Sequence, residues 1–428
     1  MIWDIKTNQL PSQDCGLFCD VLVIGGGVAG ILCAKMLDTA GLKTVLVEGK
    51  RVGMGITRHT TAVITAQHDT LYSEMVKDVG YERTKAYLDA NLWAVEEYRK
   101  LAADIHCDFE DRPSYIYSAD DRQLMLDEVQ TLHQLGFDAE FTDQIELPIE
   151  IAGAVKFSNM AQFQPLKFIS SIAKDLTIYE NTFVRAIDGN HAITNHGTIG
   201  AKHIIVATHY PFINRTGLFP AKLYQKRSYV IAIRGAQKLG GTYVQDGEGG
   251  LYFRDYGDLL LIGGSDHRTG TKGTAFEPMR AFAKRHYPKA EEVYAFTNQD
   301  CVSLDGISYI GKYGHSLPNA YVATGFNLWG MTNAMVSARI LTELITGQES
   351  EFAWAFDPAR PMLLMPLLTN IGTTTANLLY PTTKRCSHLS CALHYNKLEH
   401  SWDCACHGSR FSEEGKCLNN PAMKDGHV

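Results

Sequence analysis

The sequence predicts an α/β fold, in which a parallel-sheet nucleotide-binding domain is interleaved with an α+β domain built on an antiparallel sheet. A minimal C-terminal metal-binding module follows. A glycine-rich turn comes after a short apolar run at residues 20–24, strand-like patterns recur over residues 215–300, and five of the ten cysteines lie in the last 43 residues. A length of 428 residues accommodates two or three domains of roughly 100–200 residues each.

Charge and hydropathy exclude two classes of protein. The formal net charge is -7, whereas a nucleic-acid-binding surface must be basic to neutralise phosphates. The apolar stretch at residues 362–368 is much shorter than the ~20 apolar residues that span a bilayer. The N-terminus has no basic start followed by an apolar run, as a secretory signal would. We therefore expect a cytoplasmic protein with no membrane span and no nucleic-acid partner.

The N-terminal segment has the pattern of a dinucleotide-binding turn. Residues 20–24 form a β-branched apolar run, and Gly25, Gly27 and Gly30 follow in GxGxxG spacing before a helical pattern. The first glycine permits the tight turn, the second lets the backbone approach a pyrophosphate, and the third lets helix and strand pack closely. Glu48 lies 18 residues after the last glycine, where an acid can accept hydrogen bonds from a ribose.

Four stretches in a fixed order resemble the D-amino-acid-oxidase-like family of FAD enzymes, which includes glycine and sarcosine oxidases. After the glycine turn come the hydroxyl-rich loop 53–62, the strands 182–184 and 204–208, and a closing strand, glycine turn and helix over 319–332. The resemblance covers roughly residues 18–350, although Ser308 stands where the family usually has proline. It implies FAD contacts from Gly25, Gly27, Gly30, Glu48, Thr57, Thr61, Ala62, Val184, Ala207, Thr208, Gly325, Gly330 and Thr332.

The remaining residues of this body are expected to form the substrate-side domain. Helical spacing predicts helices over 70–105 and 120–136, and strand patterns occupy 215–300. Arg254 is a candidate for holding a substrate carboxylate, as an arginine does in the amino-acid oxidases, or it is an exposed strand arginine. His267 is a candidate base or a structural loop histidine, and His59 is a candidate flavin contact.

The C-terminal cysteines and histidines form a metal-ligand pattern. Cys386 and His388 are separated by fifteen residues from Cys404, which is followed by His407. Two thiolates and two imidazoles suit a structural zinc ion, or a [2Fe–2S] cluster in which histidines replace two thiolates and raise the reduction potential. The spacing leaves both possibilities open.

The residues around these ligands resemble the Rieske family. Residues 386–391 are similar to its first loop, 404–411 to its second and 420–422 to its third. The resemblance implies that Cys386, His388, Cys404 and His407 hold the cluster. It also implies a disulfide between Cys391 and Cys406, and a hydrogen bond from Ser409 to a bridging sulfide. The module is too small to bury a core alone, so we expect it to dock against the flavoprotein body or another subunit.

The two resemblances imply this division of the chain. The expected ranges are a body over 1–350, with FAD-domain segments at about 18–70, 155–214 and 300–350 and substrate-domain segments at about 71–154 and 215–299, then a linker over 351–383 and the Rieske module over 384–428.

The combination of FAD and a Rieske cluster indicates a dehydrogenase. A small molecule, such as an amine or amino acid, would give a hydride to the flavin, and electrons would leave singly through the cluster to an external acceptor protein. Two alternatives stay open. Electrons could flow in reverse, from a donor protein through the cluster to FAD, or the protein could be a redox sensor or electron carrier without turnover. The pattern identifies neither the substrate nor whether FAD is covalently attached.

Replacing His407 with alanine should abolish cluster binding while FAD stays bound, because the two sets of ligands are separate in the sequence. Iron analysis and electron paramagnetic resonance of the reduced protein measure the first effect, and flavin absorbance measures the second. Loss of FAD together with the cluster would show that the two sites are not separable.

Overall fold

The computed structural model describes residues 2–3, 5, 9–12 and 16–428. The helices are α1 (Val28–Thr39), α2 (Leu71–Val79), α3 (Tyr81–Ala102), α4 (Arg122–Gln134), α5 (Pro165–Ala173), α6 (Phe219–Lys222), α7 (Glu277–His286), α8 (Gly330–Thr346), α9 (Ala353–Phe356) and α10 (Leu364–Leu379), with a 3-10 turn at Ile56–His59. The strands are β1 (Leu17–Ile24), β2 (Thr44–Val47), β3 (Val63–Ile64), β4 (Glu110–Asp111), β5 (Ser114–Ser118), β6 (Glu140–Thr142), β7 (Gly153–Phe157), β8 (Ala161–Gln162), β9 (Ile178–Tyr179), β10 (Val184–Asp188), β11 (His191–Thr194), β12 (Gly197–Val206), β13 (Leu223–Arg234), β14 (Thr242–Gln245), β15 (Tyr252–Tyr256), β16 (Leu259–Arg268), β17 (Glu291–Ser303), β18 (Tyr309–Lys312), β19 (Ala320–Thr324), β20 (Leu393–Asn396), β21 (Ser401–Cys404), β22 (Arg410–Ser412) and β23 (Cys417–Asn419).

The first sheet is the nucleotide-binding sheet. Its central strand β1 pairs in parallel with β2 and β12, and β12 pairs in parallel with β19. The last four residues of β1 and all of β2 are buried, as expected for parallel strands covered on both faces. Helices α1 and α8 pack against each other beside this sheet. The carboxyl ends of β1, β12 and β19 therefore lie side by side.

Two glycines make the turn from β1 into α1 possible. Gly25 has φ +114°, and a Cβ atom there would lie 2.4 Å from the carbonyl oxygen of Ala207. A Cβ atom at Gly30 would lie 1.9 Å from the carbonyl oxygen of Gly25. Only glycine permits such close approach of helix and strand. The glycine spacing thus has the packing role predicted from the sequence.

The second sheet is the large, mostly antiparallel sheet. Its strand order is β17-β13-β16-β15-β14-β5-β7-β6, with only β14 and β5 parallel. The helical stretch expected over residues 70–105 is two helices, because Gly80, with φ +88°, separates α2 from α3. The sheet spans the chain from residue 114 to 157 and again from 223 to 303, so it is interleaved with the first.

The segment expected to be a linker is largely ordered, which corrects the prediction for residues 351–383. Phe352, Ala355 and Phe356 are buried in the main core, and Arg360 forms a buried ion pair with Asp305. Helix α10 then leads to the C-terminal module. Prolines at 358 and 361 suggested a linker, but the apolar side chains before them gain stability by burial.

The C-terminal module is a four-stranded antiparallel meander in the order β20-β21-β22-β23. Its core is small and consists mainly of cysteines around Phe411. Among the described residues of the chain, none of the helices has the length and apolar character needed to cross a bilayer.

Replacing Arg360 with alanine should destabilise the body strongly. Its guanidinium donates to both carboxylate oxygens of Asp305 and lies 4.0 Å from the centre of the Tyr309 ring, and the charged side chains are 1% and 3% exposed. Removing one partner leaves a buried charge unpaired, which costs about 3–5 kcal/mol. Denaturant unfolding measures this cost.

The matched control is Arg234→Ala, which breaks an ion pair with Asp258 whose side chains are 52% and 70% exposed. Solvent screens an exposed pair, so the pair contributes little to stability and this variant should unfold close to the wild type. Equal effects of the two substitutions would contradict a buried role for Arg360.

Candidate functional site

The glycine turn is surrounded by donors and acceptors suited to a dinucleotide. The Thr57 hydroxyl accepts a hydrogen bond from the amide of Val28 at the start of α1, 3.1 Å away. Glu48 accepts 2.8 Å hydrogen bonds from the amides of Gly26 and Lys50, and burial raises the pKa of its carboxyl. The first-turn amides of α1 form an anion site, and Thr57 lies directly over them.

The other predicted contacts surround the same edge of the sheet. Val184 begins β10 and is buried, and Ala207 donates from its amide to the carbonyl of Ile24, 2.9 Å away. Gly325 follows β19 with φ +71°. The Thr332 hydroxyl is buried and donates to the carbonyl of Thr65, 3.2 Å away.

A cavity of about 780 Å³ extends from the hydroxyl-rich loop 53–62, called the flavin loop below, into the second sheet. His59 and Thr61 line it from the loop, and Gly330 lines it at the start of α8. The first-turn amides of a helix lack acceptors, so α8 directs a partial positive charge at this end. Volume and position suit a flavin ring with a small substrate beside it.

The structure corrects the expected role of Arg254. Its side chain lies at the cavity wall, but it is only 2% exposed and its guanidinium donates to the carbonyls of Thr61, Ala62 and Phe163. Burial lowers the pKa of Arg254 to about 9. The residue therefore connects the flavin loop to β15, with its Nε and Nη1 donating to backbone carbonyls. The loop needs this support because Ala62 has φ +56°.

The two candidate histidines differ in position. His267 does not line the cavity: its ring stacks on Tyr229 with a 5.8 Å centroid distance, and its Nδ1 lies 3.0 Å from the carbonyl of Ser265. It is a structural residue near the end of β16. His59 does line the cavity, and its Nδ1 lies 2.9 Å from the carbonyl of Gly55. Burial lowers the pKa of His59, which favours a neutral imidazole beside the flavin loop.

The four predicted cluster ligands meet at one end of the module. Cys386 and Cys404 are each 1% exposed, and their sulfurs are close enough to hydrogen-bond. The rings of His388 and His407 are perpendicular, with a 5.0 Å centroid distance. Burial lowers the pKa of His388 to about 4 and that of His407 to about 3. Both imidazoles are therefore neutral, the form that binds metals.

The hydrogen bonds of these histidines show which nitrogen is free to bind iron. The Nε2 atom of His388 donates to the amide oxygen of Asn214 and that of His407 to the carbonyl of Pro220, each at 3.0 Å. In a neutral imidazole the other nitrogen then carries the lone pair. The Nδ1 atoms of both histidines are buried with no hydrogen-bond partner. Buried polar atoms rarely stay unpaired, so the donor set fits a [2Fe–2S] cluster.

The cysteine bridge expected from the resemblance is not formed. Cys391 and Cys406 are free thiols, although their sulfurs and that of Cys404 all lie within 4.8 Å of one another. Ser409 is fully buried, and its hydroxyl accepts a hydrogen bond from the amide of Ala422 at 3.0 Å.

The sequence pattern did not reveal the residues that hold the module on the body. Gln225 donates to the carbonyl of His407 at 2.7 Å, and Gln299 donates to the carbonyl of Gly408 at 2.8 Å. Arg227 pairs with Glu399 of the module. The expectation that the module docks against the flavoprotein body is confirmed. The alternation of side chains between the two faces of β13 and β17 was the available sequence signal. It shows that one face is covered, but it does not identify the module as the group that covers it.

These docking residues share their strands with the cavity. Side chains alternate between the faces of a strand, and Tyr224, Lys226 and Ser228 of β13 line the cavity, whereas Gln225 and Arg227 contact the module. In β17, residues 298 and 300 line the cavity, whereas 297 and 299 contact the module. One layer of sheet separates the cavity from the cluster site.

The carboxyl end of β12 forms a second connection. Thr208, an expected FAD contact, accepts from its carbonyl a 2.6 Å hydrogen bond from Asn420 in the third loop of the module. Two residues later, the buried ring of Tyr210 lies 6.3 Å from the ring centroids of both His388 and His407.

Two family models match separate parts of the chain. Residues 20–344 match the family model described as FAD dependent oxidoreductase, and residues 371–427 match the Rieske [2Fe-2S] domain. YhfW of Bacillus subtilis (strain 168), named as a Rieske 2Fe-2S iron-sulfur protein, is 30% identical over 491 aligned residues, covering 99% of this chain and 96% of that protein.

Two solved structures share the fold of the body. Glycine oxidase from Geobacillus kaustophilus superposes with a TM-score of 0.68 at 17% identity, covering 81% of this chain and 100% of that one. L-Proline dehydrogenase from P. horikoshii superposes with a TM-score of 0.68 at 18% identity, covering 82% of this chain and 98% of that one.

The two sites described above agree with these comparisons. The FAD-dependent oxidoreductase match covers residues 20–344, the Rieske match follows it, and the YhfW alignment covers nearly the whole chain. The chain belongs to the FAD-dependent oxidoreductase family and carries a C-terminal Rieske [2Fe–2S] domain.

Proposed function

We propose that the protein is a dehydrogenase that oxidises a small molecule at FAD and sends the electrons through its Rieske cluster to an external one-electron acceptor. When bound, FAD accepts a hydride and can release the two electrons one at a time, whereas the cluster carries a single electron. The glycine oxidase and proline dehydrogenase folds support oxidation of a small amine or amino acid.

The observation that carries this proposal is the shared sheet. β13 and β17 present side chains to the cavity on one face and to the cluster module on the other. Since sheets and the layers packed on them are on the order of 10 Å apart, electrons would cross a short, dry layer. The bond between Asn420 and Thr208 holds the module against the FAD strand in the same place.

The residues around the cluster have a defined part in this function. Asn214 and the carbonyl of Pro220 orient the two imidazoles from the body side, as second-shell partners of metal ligands do. The module cannot turn away from the body without breaking these bonds. We therefore expect the module to stay docked on the body while the cluster is reduced and then oxidised.

The test is anaerobic reduction of the holoenzyme by a panel of amines and amino acids, with absorbance and electron paramagnetic resonance followed together. A substrate should bleach the flavin, and the signal of the reduced cluster should appear without any added mediator. A flavin that is bleached while the cluster stays oxidised would contradict transfer between the two.

Replacing Gln225 with leucine should slow cluster reduction by at least about tenfold and leave flavin bleaching unchanged. The substitution removes the donor to the carbonyls of His407 and Asn420, leaving buried acceptors unpaired at a cost of about 1–3 kcal/mol. Stopped-flow absorbance and freeze-quenched resonance samples separate the two rates.

The control is Gln123→Leu, on the exposed side of α4, where the side-chain amide donates to Asp127. Both rates should match the wild type in this variant. If Gln225→Leu also leaves cluster reduction unchanged, the β13 contact is not needed for the transfer.

A further inference from the structure

We propose that the cavity takes its substrate as a cation, a protonated amine without a carboxylate group. This inference rests on the proposed function, in which the cavity beside the flavin is the substrate site.

The described part of the cavity wall is strongly acidic. Six carboxylates line it against two basic side chains, Lys226 and Arg254. The acids come from three separate parts of the chain, so they are not one exposed charge run. They are Asp69, Glu74, Asp246, Glu248, Asp266 and Asp300.

Both basic side chains are already bonded to protein groups, and Arg254 keeps only its Nη2 for a further acceptor. Lys226 is 2.8 Å from Asp266 and 3.9 Å from Glu248, so its charge is already compensated. Arg254 directs its guanidinium at backbone carbonyls of the flavin loop. A carboxylate ligand would thus meet net negative charge, and a bidentate arginine contact would require the loop to lose its support.

Unused acceptors point to a positively charged donor. Asn298 and Asp300 are adjacent on the cavity face of β17, and they are 9% and 8% exposed. The Asn298 amide donates to the Oδ2 atom of Asp300 at 2.7 Å, and the Oδ1 atom of Asp300 accepts no hydrogen bond from the described residues. A buried acceptor without a donor is costly. An ammonium group has donors and no acceptor, so it can satisfy this pair without creating a new mismatch.

Two of the acids have too little positive charge near them to offset their burial. Burial, with the nearby Asp266 carboxylate adding to it, raises the pKa of Asp300 to about 7. Burial raises the pKa of Asp69 to about 6, although the Trp329 indole donates to it at 3.3 Å. A bound cation would favour the ionised form of both acids.

Aromatic side chains complete a site for a cation. Tyr224, Tyr252 and Trp329 line the same cavity. Arg268 already lies over the Tyr224 ring, 4.7 Å from its centre, and His68 stacks on Trp329. The remaining ring surface can attract a cation and receive the apolar part of an amine. Trp329 directly precedes α8, which places this wall at the flavin end.

The test compares ligands of equal carbon number and opposite charge. The holoenzyme is titrated with n-butylamine and with butyrate near neutral pH, and binding is read from the shift of the flavin absorbance. We expect butylammonium to bind at least about tenfold more tightly than butyrate, a difference of about 1.4 kcal/mol. Tighter or equal binding of butyrate, or no shift with either ligand, overturns the proposal.

Two isosteric variants identify the wall that carries the charge. Asp300→Asn and Asp69→Asn should each weaken butylammonium binding by about tenfold and leave butyrate unchanged or slightly tighter. Asp258→Asn, on the 70%-exposed partner of Arg234, is the control and should bind as the wild type does. Flavin content and circular dichroism check that each variant is folded. Unchanged butylammonium affinity in both cavity variants overturns the proposal.

This readout is affinity, so it does not depend on turnover. Selective binding of butylammonium without cluster reduction by any amine would contradict the proposed function alone. Cluster reduction driven by a carboxylate-bearing substrate that outcompetes butylammonium would contradict the cation site alone.

Discussion

The alternation of side chains along β13 and β17 is the constraint on which the arrangement of this protein depends. Gln225 and Gln299 contact the Rieske module, while their neighbours in the chain line the cavity. Because a strand cannot turn successive side chains to the same face, the two sites are held at a fixed separation by backbone geometry.

The buried charges at this contact explain how a module with so small a core is held. Arg227 of the body and Arg410 of the module both pair with Glu399, and Arg410 also pairs with Asp403. The two arginines are 4% and 8% exposed in their side chains. Buried ion pairs are weak evidence for stability but require a specific geometry. They define one orientation of the module, which its apolar core alone would not specify.

The same docking surface completes the metal site. The Nε2 atoms of His388 and His407 donate to Asn214 and Pro220 of the body, so the Nδ1 lone pairs point at the cluster position. The module supplies the ligands, and hydrogen bonds to the body fix the orientation of the two histidines. In this sense the Rieske domain is completed only when it is docked, and the cluster and the flavin loop form parts of one structure.

The sequence by itself determined the local features of this protein. Gly25 and Gly30 predicted the turn and its close packing, and Cys386, His388, Cys404 and His407 predicted the ligand set, because each depends on spacing within one or two short segments. Only the tertiary structure decided the use of Arg254, the order within residues 351–383 and the docking role of Gln225. These depend on partners far along the chain: Arg254 bonds Thr61 and Gln225 bonds His407. A residue type and its spacing specify what a side chain can bind, whereas the folded backbone determines which group is within reach.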